Sequence, residues 1–195
     1  MFRILILTLI TALTGCGSRI YPTPEAAENH TKITDDEYQK VTRITLCGSD
    51  VNRSRHCLQW TSTRLGEAFN VQGYYFGSNW IFINQCIAKV GGDLGCKKLS
   101  TDVSGGQVME SYSFSLSEQQ LRDYATTGGI DFRMDGEKGK QQIFVPSPHI
   151  LGFLSKVNKY KASGEAKYLK DAAVVQALLE KLTKESTKNK GGKAK

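Results

Sequence analysis

The sequence predicts an α+β domain, an antiparallel β-sheet packed with about three helices, ending in C-terminal helices and a disordered lysine-rich tail. Three observations carry this expectation. Short runs before residue 117 alternate apolar and polar side chains, the two-residue period of strands. Helical stripes enter only after Ser117, and strands followed by helices indicate segregated layers with antiparallel pairing. Four cysteines in the strand-rich half, Cys47, Cys57, Cys86 and Cys96, are separated by ten, twenty-nine and ten residues and would close two local loops.

Taken in order, residues 16–36 hold Pro22, Pro24 and a mostly polar run, the composition of a flexible tether. Thr42, Ile44 and Leu46 alternate with Val41, Arg43 and Thr45 as a strand, and Gly48 to Asn52 form a loop. His56, Leu58 and Trp60 alternate with Cys57 and Gln59, which makes a returning strand and a hairpin. Trp80 to Val90 is apolar on both alternating faces and suits a strand covered on both sides, although pattern alone leaves a buried helix open. Gly91, Gly92 and Gly95 break it with a turn. Val108 to Leu116 has the cleanest alternation, with Tyr112, Phe114 and Leu116 opposite Ser111, Ser113 and Ser115.

Ser117 and Gln120 make a capping box, so a helix starts there, with Leu121, Tyr124 and Ala125 as its apolar stripe and Gly128-Gly129 as its end. Ile130, Phe132 and Met134 form a strand that turns at Asp135-Gly136 and returns through Ile143, Phe144 and Val145. Ser147 is placed to cap a helix with Pro148 at its first position, Ile150, Leu151, Leu154 and Val157 on its buried face, and Ser163-Gly164 at its close. A last helix is expected over 165–183 from Tyr168, Ala172, Val175, Leu179 and Leu182. Residues 184–195 carry Lys184, Lys188, Lys190, Lys193 and Lys195 against Glu185, and are expected to be disordered.

The first fifteen residues read as a secretory leader: Arg3, then an apolar run from Ile4 to Ala12 far too short to span a bilayer, then small residues. Leu13-Thr14-Gly15-Cys16 resembles the lipobox of bacterial lipoproteins, an aliphatic residue and two small residues before an invariant cysteine. The resemblance implies diacylglycerol on the Cys16 sulfur, removal of residues 1–15 and a palmitate-bearing Cys16 as first residue, held firmly because several acyl chains anchor where one does not. In lipoproteins of the enterobacterial type, Asp after this cysteine favours retention in the inner membrane. Residue 17 is Gly, so the resemblance implies the outer membrane, with the domain facing the periplasm. Domain limits follow: leader 1–15, lipidated tether 16–36, one α+β domain 37–183, basic tail 184–195. The path from Gly77-Ser78-Asn79-Trp80 through Phe114-Ser115-Leu116-Ser117 to Gly152-Phe153-Leu154 is similar to a pattern in uncharacterised bacterial envelope proteins, which implies a single domain and supplies no activity or site residues to carry over.

An oxidising periplasm and an even cysteine count favour two disulfides. Leu46, Leu58 and Trp60 facing the core would turn Cys47 and Cys57 together to the other face, which predicts Cys47–Cys57 and, by matched spacing, Cys86–Cys96. Zinc would want short Cys-x-x-Cys steps with nearby histidines, so no metal or cofactor is expected. Without Arg3 the mature chain has 25 basic and 19 acidic side chains, a net +6. That suits anionic partners such as lipopolysaccharide or phospholipid, or an acidic protein; nucleic acid is not expected in the envelope.

The sequence lacks a Gly-x-Ser-x-Gly elbow, a His-Glu-x-x-His helix and a phosphate loop; Gly91-Gly92-Asp93-Leu94-Gly95 reads as a hairpin turn. A Cys57–His56 nucleophilic pair would need a free thiolate, which a disulfide removes. Glu110 shares the apolar phase of its strand and could be buried; such an acid is more often a frayed strand end than a catalytic group. Tyr74, Tyr75 and Trp80, with Phe76 and Phe82, form an aromatic cluster that could bind sugar or a partner and otherwise serves as core and rim. The expected function is a non-enzymatic docking component of an envelope assembly. The alternatives are a glycan- or lipid-binding lipoprotein, and a cell-wall hydrolase using His56 or His149 as base.

Overall fold

The computed structural model describes residues 19–49 and 55–165. Cys16, the expected last helix and the lysines of the tail lie outside them. Among the described residues the order is α1 (Pro24–His30), β1 (Lys32–Asp36), β2 (Val41–Ser49), β3 (Arg55–Thr63), β4 (Gly66–Gly77), β5 (Ile83–Ala88), β6 (Gly92–Asp93), β7 (Lys97–Ser104), β8 (Gln107–Leu116), α2 (Glu118–Thr126), β9 (Gly129–Gly136), β10 (Gly139–Pro146) and α3 (Ser147–Ser163). The strands form two antiparallel sheets, a six-stranded one in the order β1-β2-β3-β4-β8-β7 and a four-stranded one in the order β10-β9-β5-β6. The chain is α+β, as its strand-then-helix order predicts.

Alternation selects the buried face of the larger sheet. Ile44, Leu46, Leu58, Trp60, Val71, Tyr112, Phe114 and Leu116 all point inward. They meet the inner face of the small sheet, where Phe132 packs edge-on to Phe114 with ring centroids 5.0 Å apart. The rest of this face is covered by α3, through Phe153 against Phe69 and Tyr160 against Trp60. Burying each such side chain contributes about 1.5–3 kcal/mol, which is why this layer rather than helix propensity holds α3 in place.

Both disulfides form as expected. Cys47 and Cys57 are direct cross-strand partners with Cα atoms 4.1 Å apart, and Cys86 and Cys96 bridge the turn after β5 at 5.5 Å. Each closes a loop of ten residues' separation, worth roughly 2–3 kcal/mol through the unfolded chain.

Three expectations are corrected. The tether assigned to 16–36 is mostly folded: Thr23 caps α1 by accepting the Ala26 N–H at 3.2 Å, Ala27 is fully buried, and β1 pairs with β2. Pro24 is the first-turn proline of a helix, not tether composition. The run from Trp80 is a strand only from Ile83, because Trp80–Phe82 form a pinned loop. Ser147 is not the cap of α3. Pro146 occupies that position, and the Ser147 hydroxyl instead donates to the Ala125 carbonyl at 2.7 Å, tying α3 to α2. The capping box of Ser117 and Gln120 is complete.

Candidate functional site

Trp80, Phe82, Ile83, Asn84, Lys98, Thr101, Glu110, Tyr112 and Glu137 line a groove of ≈ 450 Å³ where β7 and β8 meet the loop before β5. Its wall is built by Glu110. This carboxylate is buried, 1 % exposed, in the middle of β8 rather than at a frayed end. One of its oxygens accepts the N–H groups of Ile81 at 2.7 Å and Phe82 at 3.0 Å, and the other accepts that of Ile83 at 3.0 Å. Three backbone donors on one anion are charge-assisted hydrogen bonds, which satisfy a group that would otherwise be costly to bury. The Tyr112 hydroxyl donates to the Ile83 carbonyl and holds the same loop from below.

The other sheet grips this loop too. The Lys138 N–H donates to the Ile81 carbonyl at 3.1 Å, and a Cβ on Gly136 would run into the Ile81 backbone, so glycine permits the approach. Phe82 is held in the left-handed region at φ 53°, a conformation costing a side-chain residue roughly 1–2 kcal/mol. The result is a rigid aromatic ledge, Trp80 half-buried and Phe82 44 % exposed, beside polar Asn84, Lys98, Thr101 and Glu137.

The expected aromatic surface is divided by this arrangement. Only Trp80 of the three candidates lines the groove. Tyr74 points to the outer face of β4, stacked on Phe76 at 6.3 Å with its hydroxyl donating to Gln72, and burial raises its phenol above the ordinary range. Tyr75 points the other way, packs against the core and donates to the Asn79 carbonyl at 3.0 Å. Adjacent strand residues face opposite sides, so Tyr74 and Tyr75 could not share one surface.

The two candidate bases are brought together away from the groove. His56 and His149 are 1 % and 0 % exposed, with His56 Nε2 and His149 Nδ1 2.8 Å apart. The Tyr21 backbone N–H lies 3.0 Å from His149 Nε2 and can only donate. His149 therefore carries its proton on Nδ1 and donates a hydrogen bond through it to His56 Nε2. This places the His56 proton on Nδ1, which has no hydrogen-bond partner among the described residues. Burial pushes His56 down to about 3, helped by neighbouring His149, and burial takes His149 down to about 4. Both rings are neutral at physiological pH and lie beneath the segment 19–21. Cys57 sits in its disulfide and offers no thiolate. The signal for His56 was its phase, shared with Leu58 and Trp60. Nothing in the sequence linked it to His149.

No family model, curated protein or solved structure matches this chain. No helix among the described residues is long and apolar enough to cross a membrane.

Proposed function

We propose that this protein is a lipid-anchored, non-catalytic docking component of an assembly at the bacterial outer membrane, and that its docking site is the Trp80 groove. The observation that carries the reading is the loop Trp80–Ile83, clamped through three N–H groups by Glu110. A rigid, half-exposed aromatic ledge loses little entropy on binding, which is how aromatic anchors become centres of affinity. The acid in the groove already accepts three donors, and the paired histidines lie buried elsewhere, which supports binding over turnover. The lipobox of Leu13 to Cys16 supports the anchor, and the tail lysines support attraction to an anionic surface.

A second reading, recognition of a glycan, is favoured by the mixed lining of the groove, where Trp80 offers a stacking face beside Asn84, Lys98, Thr101 and Glu137. One pair of measurements separates the two. A photoreactive side chain at exposed Asn84 should capture a protein neighbour in intact envelopes, and Trp80→Ala should diminish that capture roughly thirtyfold or more if Trp80 is a hot spot. Saturable binding of purified glycan strands that Trp80→Ala abolishes would favour the second reading. Failure of both in the wild type sinks the site.

A further inference from the structure

The chain is pinned to the domain almost as soon as it leaves the lipobox. The Arg19 carbonyl accepts the Ser49 N–H at 3.0 Å. Tyr21, 5 % exposed, donates its N–H to His149 and its hydroxyl to the Cys47 carbonyl at 3.2 Å. Only Gly17 and Ser18 separate Cys16 from Arg19. Three Cα steps reach at most about 11 Å, whereas a flexible tether over residues 16–36 would reach roughly 70 Å. A lipid on Cys16 must therefore lie close to the Ser49 end of the larger sheet.

The register identifies what shares that end. Ser49 pairs with Arg55, Arg55 with Tyr74, Tyr74 with Ser111, and Ser111 with Ser100, one row across five strands. At about 4.8 Å per strand the row is roughly 19 Å wide. Beyond it, on the same rim, stand Phe76 and Val103, paired with Met109 and Val108. Ile20, Phe76 and Val103 are 48 %, 40 % and 59 % exposed. The Arg55 guanidinium lies 4.6 Å from the Phe76 ring centroid, so a cation accompanies the aromatic. Exposed apolar residues also occur at the opposite end, at Tyr38 and Leu65 in the turns after β1 and β3. Exposure alone does not choose between the ends; the short leash does.

We propose that the rim bearing Arg19 rests on the bilayer, with Ile20, Phe76 and Val103 entering the boundary between headgroups and acyl chains and Arg19 and Arg55 facing lipid phosphates. This rests on the reading of Cys16 as the lipidated N-terminus. The occupant is the membrane, because the leash ends there. Apolar side chains at a headgroup boundary with cations alongside fit its chemistry. The domain is thus held upright against the lipid rather than floating on a tether.

The test uses the full-length chain in native membranes, with a photoreactive amino acid replacing Phe76, Val103, Tyr38 or Leu65 one at a time. Mobility on non-reducing gels verifies that each variant keeps its disulfides. Phospholipid adducts at 76 and 103 several-fold above those at 38 and 65 are expected. Equal adducts at both ends, or adducts at 76 and 103 that contain protein alone, overturn the orientation. Palmitate labelling is measured in parallel with Cys16→Ser. If the variant labels like the wild type, the anchor reading fails and the orientation falls with it. If labelling needs Cys16 but adducts are even, the orientation alone fails.

Discussion

At the scale of single residues, the pair of histidines makes stability depend on pH in a defined direction. Their folded values are depressed, to about 3 for His56 and about 4 for His149, from an ordinary 6.5. Between these limits the unfolded chain binds more protons than the folded one, so stability is full above pH 6.5 and falls as pH drops toward 4. Two protons correspond to roughly 3 kcal/mol per pH unit at the steepest point. Urea unfolding at pH 7.5 and pH 4.5 should show a larger loss for the wild type than for the double variant His56→Gln/His149→Gln; identical losses would remove the pair from the account. Protonation at His149 Nε2 also sets a donor against the Tyr21 N–H, so amide exchange at Tyr21 should quicken first. The burial of His56 was legible from its phase with Leu58 and Trp60. Its partner was not, because His149 lies ninety-three residues away and only packing joins them.

At the scale of elements, the close crossing of α1 and α3 decides how the N-terminal segment is held. Gly152 is the contact point: a Cβ there would lie 2.6 Å from the Ala27 Cβ and run into the Pro24 carbonyl. Beside it Ser155 donates to Glu28 at 2.7 Å, and Lys159 pairs with the same carboxylate at 2.6 Å. These hydrogen bonds, that to Lys159 foremost, hold Glu28 below the usual carboxylate range. Alanine is the better helix former by about 1 kcal/mol, yet overpacking costs about 1–3 kcal/mol and the backbone clash leaves no room to relax. Gly152→Ala should therefore lower the denaturation midpoint, while exposed Asn158→Ala on the same helix should leave it within about 0.5 kcal/mol of wild type. An unchanged midpoint for Gly152→Ala would mean that α1 docks loosely. The pattern Gly152-Phe153-Leu154 stood out in the sequence. Its partner helix did not, since Pro22 and Pro24 resemble tether composition until Thr23 is seen capping α1.

At the scale of the whole molecule, the chain enters and leaves the described domain at opposite ends. Arg19 lies by the start of α3 at His149. The helix then runs seventeen residues, about 25 Å, to Gly164, and in its last turn Tyr160 meets Asp35 and Trp60 toward the far end of the sheet. Arg19, three steps after Cys16, and Glu165, from which the chain runs on to the five lysines between 184 and 195, thus lie at the two poles of one domain. Lysines near an anionic surface add roughly 1 kcal/mol each, screened by salt. Truncation after Thr183 should leave the unfolding temperature unchanged and reduce binding of the non-lipidated chain to anionic vesicles at low salt. Equal binding of both forms would make the tail a solvated end only.

The sequence by itself determined the α+β class, both disulfides, the capping box at Ser117 and most strands, because period, parity and caps act over a few residues. Tertiary structure alone decided that Glu110 clamps a loop, that Tyr74 and Tyr75 part to opposite faces around Trp80, that His56 meets His149, and that Pro24–His30, within the expected tether, folds as a helix onto α3. Each of these depends on which sheet face or helix lies opposite, a choice made by long-range packing that no local pattern encodes.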